Sequence, residues 1–187
     1  MSREAIAGRE PTLAIAALGR ATLNEQAFAD FHARTSRPLW NYIRRVCGDP
    51  SLADDIVQEA YLRFLRSARP DATEPERVSF LYKTATNLAY DHWRRRQREA
   101  RSLLTLPRPS PPAMATVDPD LSRVFETLTP RDRALMWLAH VEGWTHKEIG
   151  AALGLRATSV RVLLFRARAI LARRIIRAGL RSVKESR

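Results

Sequence analysis

The sequence predicts an all-helical protein of two small domains joined by a proline-rich linker. Three observations carry that expectation. Apolar residues recur at three- and four-residue intervals almost throughout, and runs that alternate apolar and polar residues are few. Five prolines, at 107, 109, 111, 112 and 119, crowd the stretch from Leu103 to Pro119, where each removes a backbone donor and forbids helical continuation. A length of 187 residues accommodates one medium domain or two small ones, and the proline stretch divides it. The expected organisation is an amino-terminal extension (1–23), a first helical domain (24–101), the linker (102–119), a second helical domain (120–178) and a tail (179–187). Both ends lack a packing face and are expected to be mobile or to depend on a partner for order.

The first domain opens with a helical pair marked by Phe28 and Phe31, then Leu39, Ile43 and Val46, with Pro38 near a kink or a fresh helix start after Ser36. Gly48, Asp49 and Pro50 end it. Ser51 is expected to cap the next helix, which places the Asp54 carboxylate at the third helical position, against unpaired amides and the positive end of the dipole. Along this helix Ile56, Ala60 and Phe64 run beside Val57, Tyr61 and Leu65 as a broad apolar stripe, while Asp55, Gln58 and Glu59 fall on the other side. After a polar loop from Ser67 to Pro75, a third helix is expected from about Val78 to Arg98, with Leu81, Ala85, Leu88 and His92 on one face.

The second domain carries sharper local signals. Thr129 and Pro130 form a cap and first-turn pair for a helix that buries Leu135, Leu138, Ala139 and Val141 and ends at Gly143. Thr145 and Glu148 then make a capping box, Ile149, Ala152 and Leu153 face inward, and Gly154 supplies the left-handed residue that stops the helix. A last helix begins near Thr158 with Val160, Leu164, Ala167 and Leu171 as its apolar rows. The whole is a helix, a short glycine turn and a helix.

Composition narrows the function. Lys and Arg number 32 against 20 Asp and Glu, a formal charge of +12, which favours an anionic partner. The single cysteine, Cys47, excludes an intramolecular disulfide framework and a zinc site built on several thiolates. The apolar stretch from Leu13 to Leu18 is far too short to span a membrane, and no secretory leader pattern opens the chain, so a cytoplasmic protein without membrane insertion is expected. No phosphate-cradling glycine loop or paired histidines occur, which argues against an enzyme and against a cofactor. Asp54, Asp55 and Glu59 have the chemistry for a divalent cation, but an acidic helix face is more often solvated or a docking surface.

Two regions suit nucleic acid. In the helix-turn-helix from Thr145 to about Ala172, the side chains of Thr158, Ser159, Arg161 and Val162 occupy the first turns of the second helix, where base edges are met, and Arg166 and Arg168 follow at phosphate height. A plain helical hairpin with a solvated face is the competing account. At the end of the first domain, Arg94, Arg95, Arg96, Arg98 and Arg101 follow Tyr90 and Trp93, so that charge and stacking faces are interleaved as a separated strand requires. A half-buried Trp93 among solvated arginines explains the same pattern without nucleic acid.

These segments resemble a known family. The run Ala53-Asp54-Asp55-Ile56-Val57-Gln58-Glu59-Ala60-Tyr61-Leu62-Arg63-Phe64 resembles the conserved segment with which extracytoplasmic-function sigma factors dock on the clamp helices of RNA polymerase. The segment from Phe80-Leu81-Tyr82-Lys83 through Asn87-Leu88-Ala89 and Asp91 to Arg94-Arg95-Arg96 is similar to the part that reads and melts the minus-ten element. Thr129-Pro130-Arg131, Trp144-Thr145, Glu148-Ile149-Gly150 and Arg166-Ala167-Arg168 look like the region that recognises the minus-thirty-five element.

The resemblance implies that the two domains are sigma region two and sigma region four, with core RNA polymerase, promoter DNA and an anti-sigma factor as partners. It assigns polymerase binding to Asp54, Asp55, Gln58 and Glu59. Minus-ten DNA falls to Tyr82, Lys83, Asn87, Asp91, Arg94, Arg95 and Arg96, and the Ser67–Pro75 loop is expected to help form a pocket for a flipped base. Minus-thirty-five DNA falls to Arg156, Thr158, Ser159, Arg161, Val162, Phe165 and Arg166. At the front of that helix the family's usual Gly-Thr-Val, then Ser-Arg, is replaced by Thr158-Ser159-Val160, then Val162-Leu163, which removes one expected arginine contact. In the free state such a factor is expected to be held inactive by clasping its two domains together or by the anti-sigma partner. A stand-alone helix-turn-helix regulator and a pure protein-interaction module are the other classes open to the sequence.

Overall fold

Asp49 and Pro50 decide where the second helix starts. In the computed structural model, which describes residues 25–67, 71–102 and 119–180, Gly48 closes the preceding helix at φ +75° and Asp49 accepts from the Leu52 amide at 3.3 Å. Asp49 is therefore the cap, with Pro50 at the first helical position where its missing N–H costs nothing. Ser51 is the expected cap; the shift sets Asp54 two residues deeper, at the fifth helical position instead of the third, and its Oδ1 accepts from Trp40 Nε1 at 2.6 Å.

Seven helices and no strand occur among the described residues: α1 (Glu25–Cys47), α2 (Pro50–Arg66), α3 (Glu74–Ser102), α4 (Pro119–Glu126), α5 (Pro130–His140), α6 (His146–Leu153) and α7 (Ala157–Arg177). None is long and apolar enough to cross a membrane. Helix α1 runs through Pro38 without a fresh start. A proline in a helix interior costs roughly 3 kcal/mol, and α1 offsets it by burying Phe31, Thr35, Leu39, Tyr42, Ile43 and Val46 along one face. Helix α3 begins four residues before the expected Val78, because the Thr73 amide and hydroxyl both reach Glu76 Oε2 at 2.8 Å, the reciprocal half of a capping box. Helix α4, not foreseen in the sequence, is a two-turn piece whose Val124 is buried. Helices α5 and α6 start at Thr129 and Thr145 as expected, and Gly154 ends α6 at φ +66°.

The two helical units share a core. Leu39, Tyr42 and Ile43 of α1, Leu81 and Ala85 of α3, Leu135 and Leu138 of α5, Ile149 of α6 and Val160 and Leu164 of α7 belong to one hydrophobic cluster. Within it α1 and α2 pack against each other and on α3, α5 and α6 pack on α7, and the units meet where α1 lies on α5 and α3 on α6. Two pairs of buried hydroxyls satisfy each other: Tyr42 with Thr86 at 2.8 Å and Thr35 with Tyr61 at 2.7 Å. The extension, most of the linker and the end of the tail lie outside the described residues, as do residues 68–70 of the loop expected to hold a flipped base.

Candidate polymerase and nucleic-acid interfaces

The first patch is a groove between α1 and α2. Phe28, His32, Trp40, Val57, Tyr61 and Leu65 line it, and Asp54 and Gln58 stand at its rim, around a volume of about 340 Å³. The floor is aromatic: the His32 ring lies 4.7 Å from Tyr61, and Phe28 meets Tyr61 edge-on at 6.2 Å. The structure thus brings the expected Asp54 and Gln58 beside apolar surface, with Asp55 exposed on the same helix. Glu59 is held by Arg63 at 2.7 Å. The α1 wall was missed in the sequence; its signal was the four-residue spacing of Phe28 and His32 outside the buried stripe.

The second patch lies on α3. Lys83, Asn87, Asp91 and Arg94 follow at helical spacing and are exposed, and Asp91 pairs with Arg94 at 3.7 Å. Tyr82 is different, being only 2% exposed because the indole of Trp144 lies on it, ring centroids 4.7 Å apart. Burial, with the Glu142 carboxylate nearby, raises the Tyr82 phenol well above its usual pKa. Further along, Asn87, Tyr90, Trp93 and Arg94 face Thr129, Pro130, Arg131 and Leu153 across a cleft of about 410 Å³. Arg95 and Arg96 are exposed. The second helical unit therefore covers part of the face expected to hold separated DNA.

Two arginines secure that closure. Arg133 of α5 is buried and donates to the Arg45 carbonyl at 3.2 Å. Arg45 in turn reaches Ser122 Oγ at 3.4 Å and lies over the Trp137 ring at 5.9 Å. No local sequence pattern announces these three contacts, since each joins residues far apart in the chain.

The third patch is the helix-turn-helix. Its turn is tight: a Cβ on Gly150 would meet the Leu155 carbonyl oxygen at 2.7 Å. Beyond it, Arg156, Thr158, Ser159, Arg161, Val162, Phe165 and Arg166 are all exposed along the front of α7, as expected. The helix starts at Ala157, with Arg156 in the cap position and no side-chain cap. Thr158, Arg161, Val162 and Phe165 form a shallow apolar surface, Phe165 being 72% exposed. Arg168 donates to His140 Nε2 at 3.2 Å.

A helix that ends in a left-handed glycine and hands on to an exposed second helix places the protein among the helix-turn-helix DNA-binding proteins. The chain belongs to the RNA polymerase sigma factors of the extracytoplasmic-function type: residues 31–99 match sigma-70 region 2 and residues 120–171 match sigma-70 region 4. It is 32% identical to the RNA polymerase sigma-E factor of Streptomyces coelicolor, over 80% of this chain and 86% of that one. It is 29% identical to the sigma factor CarQ of Myxococcus xanthus, over 74% and 83%. Among solved structures, the fold is shared with the sigma factor RpoE of Bartonella quintana in complex with the anti-sigma factor NepR, at a TM-score of 0.65 and 18% identity over 80% of this chain and 96% of that one. CnrH in complex with the cytosolic domain of CnrY gives a TM-score of 0.60 at 22% identity, over 89% and 96%.

Proposed function

We propose that the groove between α1 and α2 docks on core RNA polymerase through Asp54, Asp55, Gln58 and Glu59, that the front of α7 reads the minus-thirty-five element, and that α3 holds the opened minus-ten strand. The protein acts by binding alone and makes no covalent bond. In this reading the closed arrangement is a resting form. The observation that carries it is the unequal exposure of the three patches: the groove and the α7 front are open, while Tyr82 of α3 is covered by Trp144. Polymerase docking is then possible from the closed state, and strand binding waits for the units to part. An anti-sigma factor is the regulatory partner this reading expects, in line with the complexes formed by RpoE and CnrH.

Purified protein mixed with core polymerase is expected to give promoter-dependent transcripts, and the double charge reversal Asp55→Lys, Glu59→Lys to abolish them. Asp55 is exposed and Glu59 half-exposed in its ion pair with Arg63, and neither belongs to the core, so the reversal leaves the core intact. Full transcription from the reversed variant would sink the docking assignment.

A further inference from the structure

The outward side of α7 is apolar in its first two turns. Val160, Leu164 and Ala167 turn into the core. Thr158, Val162 and Phe165 lie on the opposite side of the helix, within an arc of about 60° when each residue advances by about 100°. Phe165 is 72% exposed and Val162 50%, and with Thr158 and Arg161 they form one continuous patch. A single apolar side chain on a surface needs no account, but this patch gathers three beside one another on the helix that follows the glycine turn.

The borders of the patch say what it meets. Arg161 bounds it on one side and Arg166 on the other, both exposed, and α7 contains no acidic residue. Cationic side chains on both flanks suit the phosphates that line the two edges of a DNA groove. In the major groove the base edges of adenine, guanine and cytosine present hydrogen-bond donors and acceptors, and thymine adds the one apolar group, its C5-methyl. Apolar side chains placed there gain from a methyl group and from nothing else on a base edge. From Thr158 to Phe165 the helix rises about 10.5 Å at 1.5 Å per residue, the length of about three base-pair steps of 3.4 Å. The patch therefore spans a short run of base pairs and lies at the end of the helix that enters the groove.

We propose that Thr158, Val162 and Phe165 read C5-methyl groups, so that the protein selects thymine by its methyl and gains affinity where a cytosine in the element carries the same methyl. The proposal rests on the reading of α7 as the recognition helix for the minus-thirty-five element and adds the chemical group that this helix selects. One consequence is that methylation of cytosine at C5 alters the strength of a promoter without altering its sequence.

The test uses holoenzyme assembled from the full chain and core polymerase, with duplexes selected for binding to it. Each thymine of the minus-thirty-five element is replaced in turn by deoxyuridine, which removes the methyl group alone. At positions under the patch, affinity is expected to fall about fourfold per methyl, the contribution of one buried CH2 group. At those same positions cytosine and 5-methylcytosine are compared, and the methylated duplex is expected to bind about fourfold more tightly. Val162→Ser and, separately, Phe165→Ser change side chains that face away from the core, so both variants keep the fold. They are expected to remain sensitive to base changes and to lose the preference for the methyl group. Affinities that deoxyuridine leaves unchanged throughout the element, or a methyl preference that survives in both variants, would overturn the proposal. A response to deoxyuridine without one to 5-methylcytosine upholds the reading of thymine and removes the consequence for cytosine methylation. If base changes in the element alter binding while the methyl groups do not, the recognition-helix reading stands and the methyl reading falls. If no base change in the element matters, both fall together.

Discussion

Tyr82 of α3 and Trp144 at the entrance to α6 lie ring against ring, centroids 4.7 Å apart and tilted by 49°, and join two units that the linker keeps apart in sequence. An aromatic pair of this kind contributes about 0.5–1.5 kcal/mol beyond its buried area. Trp144→Ala is therefore expected to raise the open population by about tenfold, since 1.4 kcal/mol is a factor of ten. Binding of a single-stranded minus-ten oligonucleotide to the free protein should strengthen by a similar factor. Unchanged binding would mean that Tyr82 does not limit strand access.

Cys47 reports on the same closure from the other side of the interface. Burial pushes its thiol up to about 12, with the Arg133 guanidinium opposing that shift in part. The thiolate is the reactive form, so at pH 8 alkylation by iodoacetamide should run about a thousandfold slower than for a free cysteine of pKa near 8.5. In Trp144→Ala the rate should rise, because parting α1 from α5 brings solvent to the thiol. Fast alkylation of the unaltered protein would show that the closed form is a minor one.

Gly150 and Gly154 serve the turn for different reasons, and substitution separates them. A methyl group at Gly150 meets the Leu155 carbonyl oxygen at 2.7 Å and the Ala157 amide nitrogen at 3.4 Å, both backbone atoms. Forcing that contact is expected to cost about 1–3 kcal/mol. At Gly154 there is room, with Lys83 Cε at 3.9 Å, and the cost arises from the φ of +66°; it should be about 1–2 kcal/mol. Thermal melts should show Gly150→Ala lowered by several degrees, at least as much as Gly154→Ala. A neutral Gly150→Ala would contradict the tight turn.

The capping box makes stability depend on pH in a defined direction. The Thr145 hydroxyl and then its backbone amide bond to the Glu148 carboxylate and lower its pKa. A depressed acid stabilises the fold above its unfolded value, near 4.3, and that contribution disappears as the pH falls through the lower folded value. The gap in melting temperature between the unaltered protein and Glu148→Gln should be widest at neutral pH and close on acidification below about 4. A gap that stays constant down to acid pH would show that the charge is not involved.

Most of the helix-turn-helix could be read from the sequence because its signals are local. Thr145, Glu148 and Gly154 each act within one turn of backbone, so short-range chemistry fixes α6 and the start of α7. Local signals mislead where two of them compete. Ser51 looked like a cap, but Asp49 followed by Pro50 is the stronger pair. Pro75 suggests that the loop continues, yet Thr73 and Glu76 cap α3 across it, because a proline is tolerated in a first turn. Pro38 suggested a break that the buried face of α1 overrides. Of the candidate sites, the exposure of Asp55 and Gln58 on α2 follows from helical periodicity, whereas the roles of the residues on α2 and α7 are what the family resemblance implies. The burial of Tyr82 does not follow from periodicity, which identifies an apolar face without naming what covers it.

The core shared by both helical units also bears on how long the protein survives after use. While the units are closed, Leu39 and Ile43 of one and Leu135 and Ile149 of the other protect each other from solvent. Pulled apart, each unit falls in the size range below about 80 residues where a single core is marginal. Cleavage by a protease tracks the population of open form when opening is faster than cutting. On the proposed opening, the parted form is thus the protease-sensitive one, and the balance between open and closed forms sets the susceptibility to cleavage.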